Sequence, residues 1–256
     1  MPMLDQQQID FRCSICGGCC KGRYVPLSLG ETRAWLHRGH RVAILLEAFA
    51  RQQHASDPRQ YIYDANRGAQ ARSGDLDIYL IAAFAADAIP TCPQLGENHF
   101  CNIYEQRPAV CRIYPFEMNP FVAFRTEQKD CPPEAWVAPE EAAAGHRSDN
   151  TLAQLIEAAR TANVVDAAAK IAICERLGLS VTAWRGNGYA IHTPEIAEFE
   201  AAIHVIDTMA EPASNRLDWQ IQVHGAGIAQ LLSERNAKLF SAEVGHHRFV
   251  HFGGPA

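Results

Sequence analysis

The chain has 256 residues, 48% of them hydrophobic, enough for one large domain or a domain with an annex, and for a real buried core. Its 23 basic and 29 acidic residues leave a formal charge of -6, so no general electrostatic pull toward nucleic acid is expected. Residues 1–10 are polar without a secretory pattern, and the longest apolar run, 78–89, is broken by Asp87 and too short to span a bilayer. The expectation is a cytoplasmic protein with no membrane contact.

In chain order, residues 13–20 form a compact cysteine knuckle, followed by a short strand over 23–27. Ser28 caps a helix, with Glu31 three residues on as its capping-box partner. Helical character resumes over 42–53, and the polar stretch 54–74 reads as a loop or an insertion. Leu76, Ile78 and Leu80 alternate with Asp77 and Tyr79, as in a half-buried strand. Residues 92–131, dense in proline, aromatics and cysteine, read as irregular structure. A linker at 139–145 precedes a helix over 148–177 with a break. Thr193 as N-cap and Pro194 at the first helical position open another helix to about Met209. Gly186-Asn187-Gly188 fits a turn. Leu217, Trp219, Ile221 and Val223 alternate with Asp218, Gln220 and Gln222, a strand signal. The expected fold class is α+β: a cysteine-rich, irregular metal-binding core with flanking helices over 1–138, and a mainly helical C-terminal part over 146–256 with one or two strands.

Nine cysteines stand out. In a chain neither small nor visibly exported, clustered cysteines point to metal rather than to disulfides. The first group is Cys13-Ser-Ile-Cys16-Gly-Gly-Cys19-Cys20. Two-residue gaps let a pair of sulfurs turn onto one ion. Gly17 and Gly18 permit tight turns with positive φ, whose amides can point at the thiolates. Cys13, Cys16 and Cys19 have the spacing of the first three ligands of bacterial ferredoxin clusters. Cys20 serves a second metal, bridges two, or stays outside the first set. The second group is Cys92-Pro-Gln-Leu, Cys101-Asn-Ile-Tyr-Glu-Gln-Arg-Pro, Cys111-Arg-Ile-Tyr-Pro-Phe and Cys131-Pro. Ordinary burial accounts for a single cysteine, and Cys174 on an Ala-rich helix is read that way. It does not account for the other eight, which are the expected metal ligands.

These segments together resemble the YkgJ-type cysteine-cluster family, a domain named for chelating zinc or iron. The resemblance covers about residues 11–135 and implies a metal centre. The family is also similar to the metal-binding part of flagellin lysine-N-methylase, which implies an iron–sulfur cluster used with S-adenosylmethionine. The polar stretch 54–74 and the long C-terminal part depart from the family pattern.

Eight thiolates suffice for two tetrahedral zinc sites, or for one [4Fe–4S] cluster plus a zinc. The ferredoxin-like triple, with the lack of a second close-spaced pair, favours iron–sulfur. Arg107 and Arg112 are candidate cofactor-binding residues, offsetting thiolate charge or holding an anionic ligand. Tyr104 and Tyr114 pack under the cluster or donate toward sulfur. His246, His247 and His251 form a terminal histidine group that reads as an edge-strand or mobile tail before a metal site. Glu195, Glu198 and Glu200 read as a solvated helix face. No phosphate loop and no nucleophile elbow is present. Two functions stay open: an iron–sulfur protein with a redox or methyl-transfer role, and a zinc-stabilised binding module without catalysis. The C-terminal half is left to a protein partner.

Overall fold

The computed structural model describes residues 11–51, 57–136, 149–209, 217–241 and 247–252. The expected linker at 139–145 and His246 lie outside them. Among the described residues the chain is a mixed α/β protein with seven α-helices and an eight-stranded sheet. It divides into two compact units, each discontinuous in sequence. The first comprises 1–27 and 86–162; the second comprises 28–85 and 163–256.

In the first unit, β1 (Lys21–Leu27) follows the cysteine knuckle. The second unit opens with α1 (Leu29–His37), where the expected capping box forms in full: Glu31 N donates to Ser28 Oγ at 3.2 Å, and Ser28 N donates to the Glu31 carboxylate at 2.7 Å. Residues 42–53, expected to be helical, instead start as β2 (Val42–Phe49), with all eight residues buried. A strand covered on both faces loses its alternation, and an apolar run of this length carries no periodicity that separates it from helix. The stretch 54–74 is likewise not simply a loop. It holds α2 (Pro58–Asn66), capped by the Asp57 carboxylate with Pro58 in the first turn, and β3 (Ala69–Ser73). The Asp-Pro start was the signal there, and polarity of the exposed face hid it.

The expected strand at 76–80 is the first part of β4 (Leu76–Thr91), which pairs antiparallel with β3 in the register Gln70↔Tyr79 and Arg72↔Asp77. β4 passes covalently from the second unit into the first, where only α3 (Ala109–Ile113) and short 3-10 turns interrupt irregular chain up to residue 136. The helix expected over 148–177 is present as α4 (Asp149–Val165) and α5 (Ala167–Arg176), broken at Asp166. The Asp166 carboxylate accepts from Leu29 N, at the start of α1, at 2.6 Å.

The C-terminal half is richer in strands than expected. It holds β5 (Val181–Trp184), β6 (Gly188–His192), β7 (Gln220–Gln222) and β8 (Arg248–His251), four rather than one or two. β7 falls within the alternating stretch 217–223 expected to be a strand, whereas β5 is four residues long and wholly buried, too short and too enclosed to show alternation. Two helices accompany them, α6 (Ile196–Thr208) and α7 (Ala226–Ser233). Glu195, not Thr193, caps α6, while Glu195, Glu198 and Glu200 are exposed as expected. Strand order is β1-β4-β2-β5-β7, with β6 between β2 and β8. β2 runs parallel to β5, and β5 parallel to β7.

The second unit's core centres on Phe49, Phe84, Phe199, Trp219 and the fully buried aliphatics of β2 and β4. Cys174 is fully buried there, as expected of a core residue. Four charges are also enclosed in this unit. Asp64 is 0% exposed and meets Arg67 and Arg185, each at 3.0 Å, and Glu47 on β2 faces Arg185 at 3.4 Å and Arg67 at 3.9 Å.

Candidate metal centre

All eight predicted ligands lie in the first unit, on two stretches of chain far apart in sequence. Local rules shape the knuckle. Gly17 adopts φ 71°, a conformation costly for side-chain-bearing residues, and Cys20 N then donates to Gly17 O at 3.1 Å to close a 3-10 turn over Gly18–Cys20. Gly18 N donates to Cys16 Sγ at 3.4 Å, the expected amide-to-sulfur contact. A Cβ on Gly18 would stand 3.0 Å from Asp130 O, so the missing side chain lets the knuckle approach the segment that carries Cys131.

The second stretch is brought to the first by backbone hydrogen bonds and by aromatics. Cys92 N donates to Cys20 O at 2.7 Å, placing Cys92 beside the end of the knuckle. Residues 92–102 then fold as a tight loop, with Asn102 N donating to Gln94 O at 2.8 Å and Leu95 bridging Cys101. Cys111 sits on α3, which packs against β1. At the far end Arg12 N donates to Ala135 O at 2.9 Å, and Phe11 pairs with Trp136. Phe11, Phe116, Phe124 and Trp136 stack on one another at centroid separations of 5.1–6.2 Å. This aromatic clamp was missed in the sequence. Its signal was an aromatic placed just outside the first and last cysteines.

The sulfurs sense one another electrostatically. Cys111 is pushed up to about 12 by burial, then by the nearby Cys19, Cys92 and Cys101 sulfurs. Burial raises Cys92, with Cys101 and Cys19 adding to it, while the amides of Gln94 and Leu95 oppose the shift. Cys131 rises to about 11 through burial and then through Cys19, Cys16 and Cys13. Cys19 is the exception. The Cys20 thiol donates to it and Arg23 and Arg107 face it, so against burial it falls to about 6. Cys20, holding the shared proton, is raised correspondingly.

Thus Cys19, Cys20, Cys92, Cys101 and Cys111 form one neighbourhood, Cys13, Cys16 and Cys131 another, and Cys19 belongs to both. Cys13 and Cys16 are exposed and the other six are half-buried. Among the described residues, no three His, Cys, Asp or Glu side chains stand as a ready-made set around a single ion. The thiols are gathered in one region without closing on one point. His247 and His251 lie elsewhere, in the second unit. His251 is on edge strand β8 with its ring stacked on His224 at 4.2 Å, and the His247 ring stands 5.2 Å from that of His192.

Of the two arginines singled out, Arg107 faces the thiols. Its Nε donates to Tyr104 O at 2.8 Å, its guanidinium covers the Tyr104 ring at 3.7 Å, and it draws down Cys19 and Cys111. Arg112 is exposed on α3. The stronger counter-charge to Cys19 is Arg23 on β1, which sequence reading passed over because it lies outside both cysteine motifs. Tyr104 stacks between Arg107 and Phe100, whereas the Tyr114 hydroxyl bonds to Asp130, the residue before Cys131.

Eight soft donors, amides aimed at two of them and guanidinium groups beside a third are what a thiophilic metal requires. Fold and site together define a mixed α/β protein with a thiol-rich, metal-binding unit. Residues 12–132 match the family described as "CxxCxxCC: Putative zinc- or iron-chelating domain". A comparison with curated proteins returned no match. A comparison with solved structures likewise returned none. No helix among the described residues is long and apolar enough to cross a membrane.

Proposed function

We propose that the first unit holds an iron–sulfur cluster with a redox role, bound by Cys13, Cys16, Cys19 and Cys131, while Cys20, Cys92, Cys101 and Cys111 bind or position a second ion. The observation that carries this reading is the convergence of sulfurs from 13–20 and 92–131, with Cys19 sensing both neighbourhoods. The ferredoxin-type spacing of Cys13, Cys16 and Cys19 weighs toward iron. All nine cysteines are free thiols, which fits a reducing, cytoplasmic setting.

A bound iron–sulfur cluster would supply one-electron transfer. The chain's own part is to bring thiolates together, to offset the charge of Cys19 with Arg23 and Arg107, and to clamp the two cysteine-bearing stretches through Phe11, Phe116, Phe124 and Trp136. Burial and neighbouring sulfurs raise Cys92, Cys111 and Cys131, and the proton shared with Cys19 raises Cys20, so binding metal at these thiols releases protons and strengthens with rising pH.

Anaerobic purification tests the assignment. A brown protein absorbing near 400 nm, with iron and acid-labile sulfide, supports it. Colourless protein with stoichiometric zinc would transfer the site to the zinc-stabilised, non-catalytic alternative. Protein devoid of both metals would refute a metal role. Methyl transfer from S-adenosylmethionine, implied only by the family's likeness to the flagellin methylase, is tested by equilibrium dialysis of the iron-loaded protein with S-adenosylmethionine.

A further inference from the structure

Three groups outside the cysteine set are joined beside it. Arg23 on β1 forms an ion pair with Asp130, the residue before Cys131. Asp130 N donates to the Tyr114 hydroxyl at 2.9 Å, and that hydroxyl donates to Asp130 Oδ2 at 3.1 Å. The Arg23 guanidinium also lies over the Tyr114 ring, 5.3 Å from its centre. Tyr114 follows α3, three residues after Cys111. The trio therefore ties together the chain leaving the knuckle, the chain leaving Cys111 and the chain entering Cys131.

We infer that Arg23 is the positioning cation of the metal centre: held by Asp130 and Tyr114, it fixes the segments that carry Cys20, Cys111 and Cys131 in the arrangement that binds metal. This inference deepens the metal reading above and rests on it. Two effects combine. The guanidinium pairs with the carboxylate of the residue before Cys131 and covers the Tyr114 ring, so it holds both of those segments to β1. Its Nη2 meets Asp130 Oδ2 while its Nε donates to Lys21 O at 3.5 Å, which also fixes where the strand bearing it stands. Asp130 by itself is a negative charge among thiolates, and it is tolerated there because Arg23 pairs with it. Gly18, where a Cβ would stand only 3.0 Å from Asp130 O, brings the knuckle to the same residue. Four observations, the ion pair, the tyrosine bond, the ring contact and the close glycine, converge on one place.

The experiment titrates cobalt(II) into the full-length apo chain under anaerobic conditions. It follows the thiolate charge-transfer band, with competition by a chelator for affinity and far-UV circular dichroism for folding. Wild type binds with stoichiometric thiolate coordination. Arg23→Gln keeps the stoichiometry and weakens affinity by about 10- to 100-fold, the usual effect of removing a residue that supports metal ligands. Arg23→Lys, keeping charge without the fork, recovers part of that loss. If Arg23→Gln unfolds, Asp130→Asn serves in its place. It frees the arginine from its anchor while deleting a negative charge, so weaker binding supports positioning and tighter binding overturns it. Arg23→Gln binding as tightly as wild type, or Arg23→Lys binding no better than Arg23→Gln, also overturns the inference while the metal reading stands. Wild type that binds no cobalt through sulfur refutes the metal reading itself, and the inference with it.

Discussion

Arg185→Met tests the buried charges of the second unit. Arg185 Nη2 meets Asp64 Oδ2 at 3.0 Å and Nη1 meets Glu47 Oε1 at 3.4 Å. Its side chain is 14% exposed, against 8% for Glu47 and 0% for Asp64. With Arg67 as the second cation, the four charges sum to zero. Methionine fills most of the space over Phe49 but leaves two enclosed carboxylates with one arginine. Removing one member of a buried pair costs about 3–5 kcal/mol, since the surviving charge is left desolvated and uncompensated. Burial already raises Glu47, and Arg185 is the main group pulling it back. Without Arg185 the folded state binds this proton more tightly, so the deficit shrinks as pH falls. Urea unfolding followed by tryptophan fluorescence reads this unit well, because Trp35, Trp184 and Trp219 are all buried in it. The double variant Glu47→Gln with Arg185→Met restores balance and recovers about 2 kcal/mol of the loss. A loss under about 1 kcal/mol at pH 8, or a double variant less stable than Arg185→Met alone, refutes this account of the network.

Two further predictions follow from burial and from the cysteine grouping. Cys111→Ser, in the half-buried sulfur neighbourhood, lowers bound metal and destabilises the first unit, whereas Cys174→Ser, in the core of the other unit, leaves metal content unchanged; elemental analysis of both decides, and equal metal loss would contradict the division. His192 is 5% exposed, contacts Val181 O at 3.0 Å, and is pushed down to about 4 chiefly by burial. Its neutral form contributes stability that is complete above the unfolded-state value near 6.5 and is lost as pH falls through about 4, roughly 3 kcal/mol in all. His192→Gln should flatten that part of the stability–pH curve, and a slope unchanged from wild type between pH 6.5 and 4 would count against it.

The sequence alone determined the cysteine-cluster character of the metal-binding unit. Cysteine spacing is a local property, and Gly17 and Gly18 state their turn in the residues themselves. The Ser28 cap and the break between α4 and α5 were legible for the same reason, since capping acts over three or four residues. The tertiary structure alone decided that 42–49 is a strand, because burial on both faces erases the period that would announce it. It also decided which sulfurs neighbour which, and that Arg23 rather than Arg112 stands beside Cys19. Those facts depend on contacts across more than a hundred residues, such as Arg23 with Asp130, and no local pattern encodes a contact of that range.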